Sequence, residues 1–241
     1  MRHRLIRWLI QSLAGLLAVA GCTQSPAQLQ TIALFTTLPI LWQEADDLRG
    51  LLGSDAPEHW ALPVLRAQGE VRALNTLTAD PDPLAGIGLL VMAQPRALAP
   101  QENVALDQWV RRGGRVLLFA DPMLTADSRF ALGDKRRPQD VALLSPILAR
   151  WGLRLEFDEG EAAGERGAAL FGAQLPVNLP GRLALTEVGG RCRLLSERIA
   201  AQCRIGRGRA LIIADAALFE PVEENEADRR RELLRLLLEA A

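Results

Sequence analysis

Tyrosine is absent from the 241 residues, histidine occurs twice, cysteine three times and lysine once, at Lys135. Each shortage removes a class of chemistry. The histidines are His3 and His59, so no imidazole beyond residue 59 is available as a general base. Four zinc ligands cannot be assembled from cysteine and histidine, since only Cys192 and Cys203 lie near one another, and no metal or other cofactor is expected. With 28 basic residues against 29 acidic ones, the formal net charge of -1 leaves no basic excess of the kind nucleic acid requires, so nucleic acid is not an expected partner. Repeats and low-complexity tracts are missing. The longest apolar run, Trp8 to Gly21, falls short of the roughly 20 residues that a bilayer-spanning helix needs.

That run has a different meaning in its setting. Arg2, Arg4 and Arg7 precede it, as in a secretory signal, and Val19-Ala20-Gly21-Cys22 follows. These four residues resemble the lipobox of bacterial lipoproteins, in which the cysteine receives diacylglycerol and becomes the new N-terminus. The resemblance implies a lipoprotein-type signal peptide over residues 1–21, lipid attachment at Cys22, a polar tether over 22–30 and a cell-envelope, periplasm-facing location. Thr23 after the cysteine implies sorting to the outer membrane. The competing readings are an ordinary signal peptide cut nearby and an uncleaved anchor.

The remaining 31–241 stretch is long enough for a substantial core. Short apolar runs alternate there with amphipathic segments, the pattern of an α/β architecture with a mostly parallel sheet. Strands are expected at Thr31 to Thr36, around Val71 to Leu77, at Ile87 to Ala93, at Arg115 to Ala120 and at Ala210 to Ala214. Helices are expected over 42–52, across Val104, Leu106, Trp109 and Val110, over 141–151, and at the C-terminus with Leu233, Leu234, Leu237 and Leu238 on one side. Gly113-Gly114 reads as a helix stop before a parallel strand. The arginines of the last helix read as a solvated face. Residues 168–204 carry several short strands with proline and glycine between them, which suggests a small antiparallel insert. Within it, "RCRLLSERIAAQCR" read as a hairpin sets Cys192 opposite Cys203, close enough for a disulfide in an oxidising compartment. The alternative is a pair of small buried hydrophobes.

In an open α/β sheet, ligands bind beyond the carboxyl ends of the strands. Thr36 and Thr37 follow the first strand, Gln94 the third, Asp121 the fourth and Asp215 the late one, so these five are the candidate ligand-binding residues. Two carboxylates with two hydroxyls could hold sugar hydroxyls or a hard cation. The favoured alternative is that Asp121 and Asp215 cap the turns that follow them by accepting backbone N–H bonds, which Pro122 after the one and "AALF" after the other both suit.

The order "GLLVMAQP", helix, "GGRVLLFADP" resembles the core of the class I glutamine-amidotransferase-like fold, a flavodoxin-like three-layer sandwich. Its enzymes place a nucleophilic cysteine where this chain has Asp121, and a glycine-rich oxyanion turn where it has Gln94-Pro95. With no histidine after His59, the acyl-transfer machinery is missing and no catalytic residue is expected. "LDQWVRRGGRVLLFADP", "LLSPILARWGLRLEFDE" and "GRGRALIIADAALF" together resemble the extracytoplasmic domain of auxiliary proteins of gliding-motility-type ABC transport systems, related to a noncatalytic amidotransferase-like domain. The resemblance implies a noncatalytic accessory binding component, with an ABC permease and ATPase as partners. Two other expectations remain open: a glycan hydrolase using Asp121 and Asp215, and a purely structural envelope protein.

Overall fold

The computed structural model describes residues 30–41, 58–187, 190–220 and 225–241. The signal, Cys22, the tether up to residue 29 and the helix expected over 42–52 lie outside the described residues.

Seven strands form the central sheet. In chain order the elements are β1 (Gln30–Thr36), α1 (Ala61–Gln68), β2 (Gly69–Ala73), β3 (Ile87–Ala93), α2 (Pro100–Arg111), β4 (Arg115–Phe119), α3 (Ser145–Trp151), β5 (Leu153–Glu156), β6 (Arg166–Leu170), β7 (Ala173–Val177), β8 (Arg182–Leu185), β9 (Arg191–Leu195), β10 (Ala200–Ile205), β11 (Gly208–Ile213) and α4 (Glu226–Ala240). The sheet order is β2-β1-β3-β4-β11-β10-β9, parallel from β2 to β11 and antiparallel from β11 outward. This is the mostly parallel α/β sandwich read from the sequence, with the flavodoxin-like order across its parallel strands.

Strict alternation divides the sheet's side chains between two cores. Ile32, Leu34, Leu89, Val91, Leu117, Phe119, Leu211 and Ile213 face α1, α4 and the β6–β7 hairpin. Ala33, Phe35, Leu90, Met92, Val116, Leu118, Ala210 and Ile212 face α2 and α3. A strand buried on both faces must be apolar at every position, which is why "IGLLVMA" has no polar alternation. Gly114 and Gly208 let α2 close onto the start of the sheet. A Cβ on Gly114 would stand 2.4 Å from the Trp109 ring, and one on Gly208 would stand 2.1 Å from the Val110 carbonyl oxygen.

Several boundaries differ from the sequence reading. The second strand runs over Gly69–Ala73, because the chain passes directly from α1, a short helix containing Pro63, into the sheet at Gly69. Leu77 instead packs in the α2/α3 core. Helix α3 starts only at Ser145, where Pro146 suits the first turn, and Val141 is exposed. On α2, Leu106, Trp109 and Val110 are buried but Val104 is not. The buried stripe of α4 is Leu233, Leu236, Leu237 and Ala240, with Leu238 exposed. Arg229 is also buried there, donating to the Ala217 carbonyl and pairing with Glu165. The region expected as a single antiparallel insert is divided three ways. β6 and β7 form a hairpin, β8 pairs with β5, and β9–β10 extends the main sheet past β11.

Candidate functional site

The parallel strands end in register, Thr36 beside Ala93 and Ala93 and Ile213 each beside Phe119. The residues after them therefore gather along one edge, and the sequence-derived set Thr36, Thr37, Gln94, Asp121 and Asp215 is brought together there. Their hydrogen bonds determine what that edge can do.

Gln94 is fully buried and left-handed, at φ 43°, a conformation uncommon for any residue but glycine. Its Oε1 accepts the Asp121 N–H at 2.8 Å, while its Nε2 donates to the Asp121 carbonyl at 3.0 Å and to the Gln139 carbonyl at 2.8 Å. The side-chain amide thus pairs with the backbone of Asp121 as a neighbouring strand would, prolonging the ladder beyond β3. Its backbone N–H donates to the Phe119 carbonyl, and its carbonyl accepts the Thr37 hydroxyl. Thr37 Oγ1 in turn accepts the Gln139 N–H at 3.0 Å, and Thr36 Oγ1 donates to the Ala93 carbonyl and accepts the Leu38 N–H. The β1/β3 crevice, where a ligand is expected in this sheet order, is bridged by the loop that leaves β4.

Asp121 and Asp215 are both buried. Asp121 Oδ1 accepts the Met123 N–H at 2.8 Å and Oδ2 the Ala216 N–H at 3.0 Å. Asp215 Oδ1 accepts the Ala217 N–H at 2.7 Å and Oδ2 the Asn178 N–H at 2.9 Å. All four carboxyl oxygens therefore cap backbone donors, and Asp121 ties the end of β4 to the end of β11. Burial raises the Asp121 carboxyl to about 7, against the pull of those two amides, with Glu220 contributing repulsion. Burial also raises Asp215 well above its usual range, and the neighbouring Asp121 charge adds to it. Two buried carboxyls side by side do not ionise independently.

The sequence reading missed the groups that complete this edge. Asn178 donates from its side chain to Thr125 Oγ1 at 3.0 Å, and Thr125 bonds Glu220, whose carboxyl is likewise raised by burial. Gln139 and Asn178 lie 45 and 37 residues from the side chains they meet, so no local spacing marks them. Among the described residues, no group of three or more histidine, cysteine or acidic side chains is arranged to hold a metal ion. Cys192 and Cys203 are facing residues on β9 and β10, joined by a disulfide, with Cα atoms 4.0 Å apart.

A family model described as "ABC-type uncharacterized transport system" matches residues 30–168. No curated protein sequence matches the chain. Among solved structures, it is similar to the exo-β-1,4-mannosidase Op5Man5 from Opitutaceae bacterium strain TAV5, at 11% identity and TM-score 0.53, over 88% of this chain and 36% of the mannosidase. The β-galactosidase from Rahnella sp. R3 gives 12% identity and TM-score 0.47, over 88% of this chain and 31% of that one. The mmIFT52 N-terminal domain gives 15% and 0.49, over 88% and 98%. The chain spans about a third of the mannosidase, and at that identity the likeness establishes a shared fold.

Proposed function

The chain belongs to the family described as ABC-type uncharacterized transport system, matched over residues 30–168, and is an auxiliary component of such a system; from that premise we propose that it is a noncatalytic accessory binding subunit held in the cell envelope by lipid on Cys22. Within this reading the domain is of the gliding-motility, amidotransferase-like type, and the permease and ATPase of the transporter are its partners. The observation that carries the noncatalytic part is the hydrogen bonding of the sheet edge. Gln94 fills the turn that would supply oxyanion donors, and both aspartates spend all four oxygens on backbone amides.

The experiment that tests it is intact mass and membrane fractionation of the full chain beside Cys22→Ser, followed by isolation of the tagged protein from its own membranes. A mass matching an acylated chain beginning at Cys22, co-isolation of an ATPase and a multi-spanning permease, and loss of both from the variant are expected. A soluble protein that retains residues 1–21 and brings down neither subunit would overturn the proposal.

One observation favours a second reading. Asp121, held protonated to about 7 beside Asp215, is the kind of carboxyl pair that glycan hydrolases use. Loss of glycan hydrolysis in both Asp121→Asn and Asp215→Asn, with folding retained, is what that reading requires.

A further inference from the structure

The opposite edge of the sheet, beside the amino end of β11, carries a different arrangement. Arg209 is the second residue of β11, and Arg204 on β10 faces it directly; Arg191 on β9 faces Arg204 from the other side. Three arginines thus form one row across three adjacent strands. Neighbouring strands are about 4.8 Å apart. Arg193 lies two residues along β9 on the same face. Like charges placed directly opposite on a sheet destabilise it. No side-chain carboxylate among the described residues pairs with any of the four. Arg193 donates to Gln202 Oε1 at 3.1 Å and Arg209 to the backbone oxygen of Ala241, whereas Arg191 and Arg204 make no side-chain hydrogen bond or ion pair among the described residues.

This row lines a cavity of about 410 Å³ between the outer strands and the end of α4, floored by Ala210, Leu211 and Ala240, with Glu239 the one acidic side chain on its rim. Cys192 and Cys203 join β9 to β10 on the rung between the Arg191–Arg204 and Arg193–Gln202 pairs, so the strand bearing two of the arginines is fixed to its neighbour. A cavity of this size takes a small molecule.

We propose that this groove is a binding site for a soluble ligand carrying two or more linked phosphate groups, held by Arg191, Arg204 and Arg209 with Arg193 at its side. Phosphate is the chemistry the row fits. Its three peripheral oxygens and greater charge can satisfy two neighbouring guanidinium forks at once, while a carboxylate's two oxygens match only one fork in bidentate fashion. Binding offsets the repulsion along the row, and the disulfide holds the arginines in place beforehand. The site is independent of the lipid anchor and of any transporter partner.

The test is calorimetric titration of the full protein with inorganic pyrophosphate at low and at physiological salt. It compares the wild type with an Arg191→Gln/Arg204→Gln double variant, with Glu239→Gln, and with Arg72→Gln on the opposite edge strand as control. Saturable binding is expected, weakened at least tenfold in the double variant, tightened in Glu239→Gln and unchanged in Arg72→Gln. Matching circular dichroism melts establish that the double variant is folded. Absence of pyrophosphate binding, or binding indifferent to the double substitution, overturns the proposal. So does binding confined to phosphatidylglycerol vesicles, which would make the groove a membrane contact, or to polyglutamate, which would make it an acidic-peptide site.

Discussion

At the carboxyl ends of the parallel strands, the side chains of Thr36, Thr37, Gln94, Asp121 and Asp215 all find partners within the chain, whereas at the opposite end of the sheet Arg191 on β9 and Arg204 on β10 find none among the described residues. The first end is where an open α/β sheet ordinarily presents a ligand site. In this protein it has been closed. Gln94 does the work of an extra strand, the loop after β4 docks through Gln139, and two aspartates become caps. The cost of leaving a buried polar group unpaired explains why such a closure must be complete. The second end is exposed, so water satisfies its guanidinium groups, and their mutual repulsion persists. Polar residues gathered at a strand end therefore signify a ligand only if their hydrogen bonds are not already taken.

Substitutions can break this contrast, and the largest effect belongs to the closed end. Gln94→Ala removes three side-chain hydrogen bonds and leaves the buried Asp121 N–H without its acceptor, so denaturant unfolding should show a loss of about 3–5 kcal/mol. Next is the Cys192–Cys203 bridge, which closes a loop of sequence separation 11; reducing it should lower stability by about 2–3 kcal/mol by chain entropy, read as a shift in the urea midpoint.

A smaller effect appears as pH dependence. Because burial raises the Asp121 carboxyl above its unfolded value, the folded state keeps a proton that the unfolded chain gives up. That contribution is full below the ordinary aspartate range and is lost as pH rises through about 7. Wild-type stability should accordingly fall across that window. Asp121→Asn should give a shallower fall, with the remainder coming from Asp215 and Glu220, when melting temperature is followed against pH. The smallest effect is at the open end, where Arg204→Gln should leave stability within about 0.5 kcal/mol of wild type, since it removes only an exposed and repelling charge.

The layer order, the parallel sheet and the five residues at its edge were legible because strand-end positions follow from periodicity alone. What those residues do was harder to read. The choice between ligand and cap for Asp121 and Asp215 depends on Asn178 and Ala216 arriving from elsewhere in the fold, and the docking of Gln139 depends on a long loop without periodicity. The α4 stripe was misplaced by one position because "ELLRLLLEA" contains more leucines than one helical face can bury. The arginine row was hidden for a similar reason. Its members alternate with partly or fully buried residues in an ordinary way, and only the fold shows that these arginines share one exposed face of β9 and β10.

The central claim, that the carboxyl edge of the sheet serves the fold, is tested most directly by urea unfolding of Gln94→Ala and Arg204→Gln beside the wild type. A loss of several kcal/mol in the first with no change in the second is expected. Equal stability of all three proteins would contradict it, because Gln94 would then be free to serve something other than its own chain.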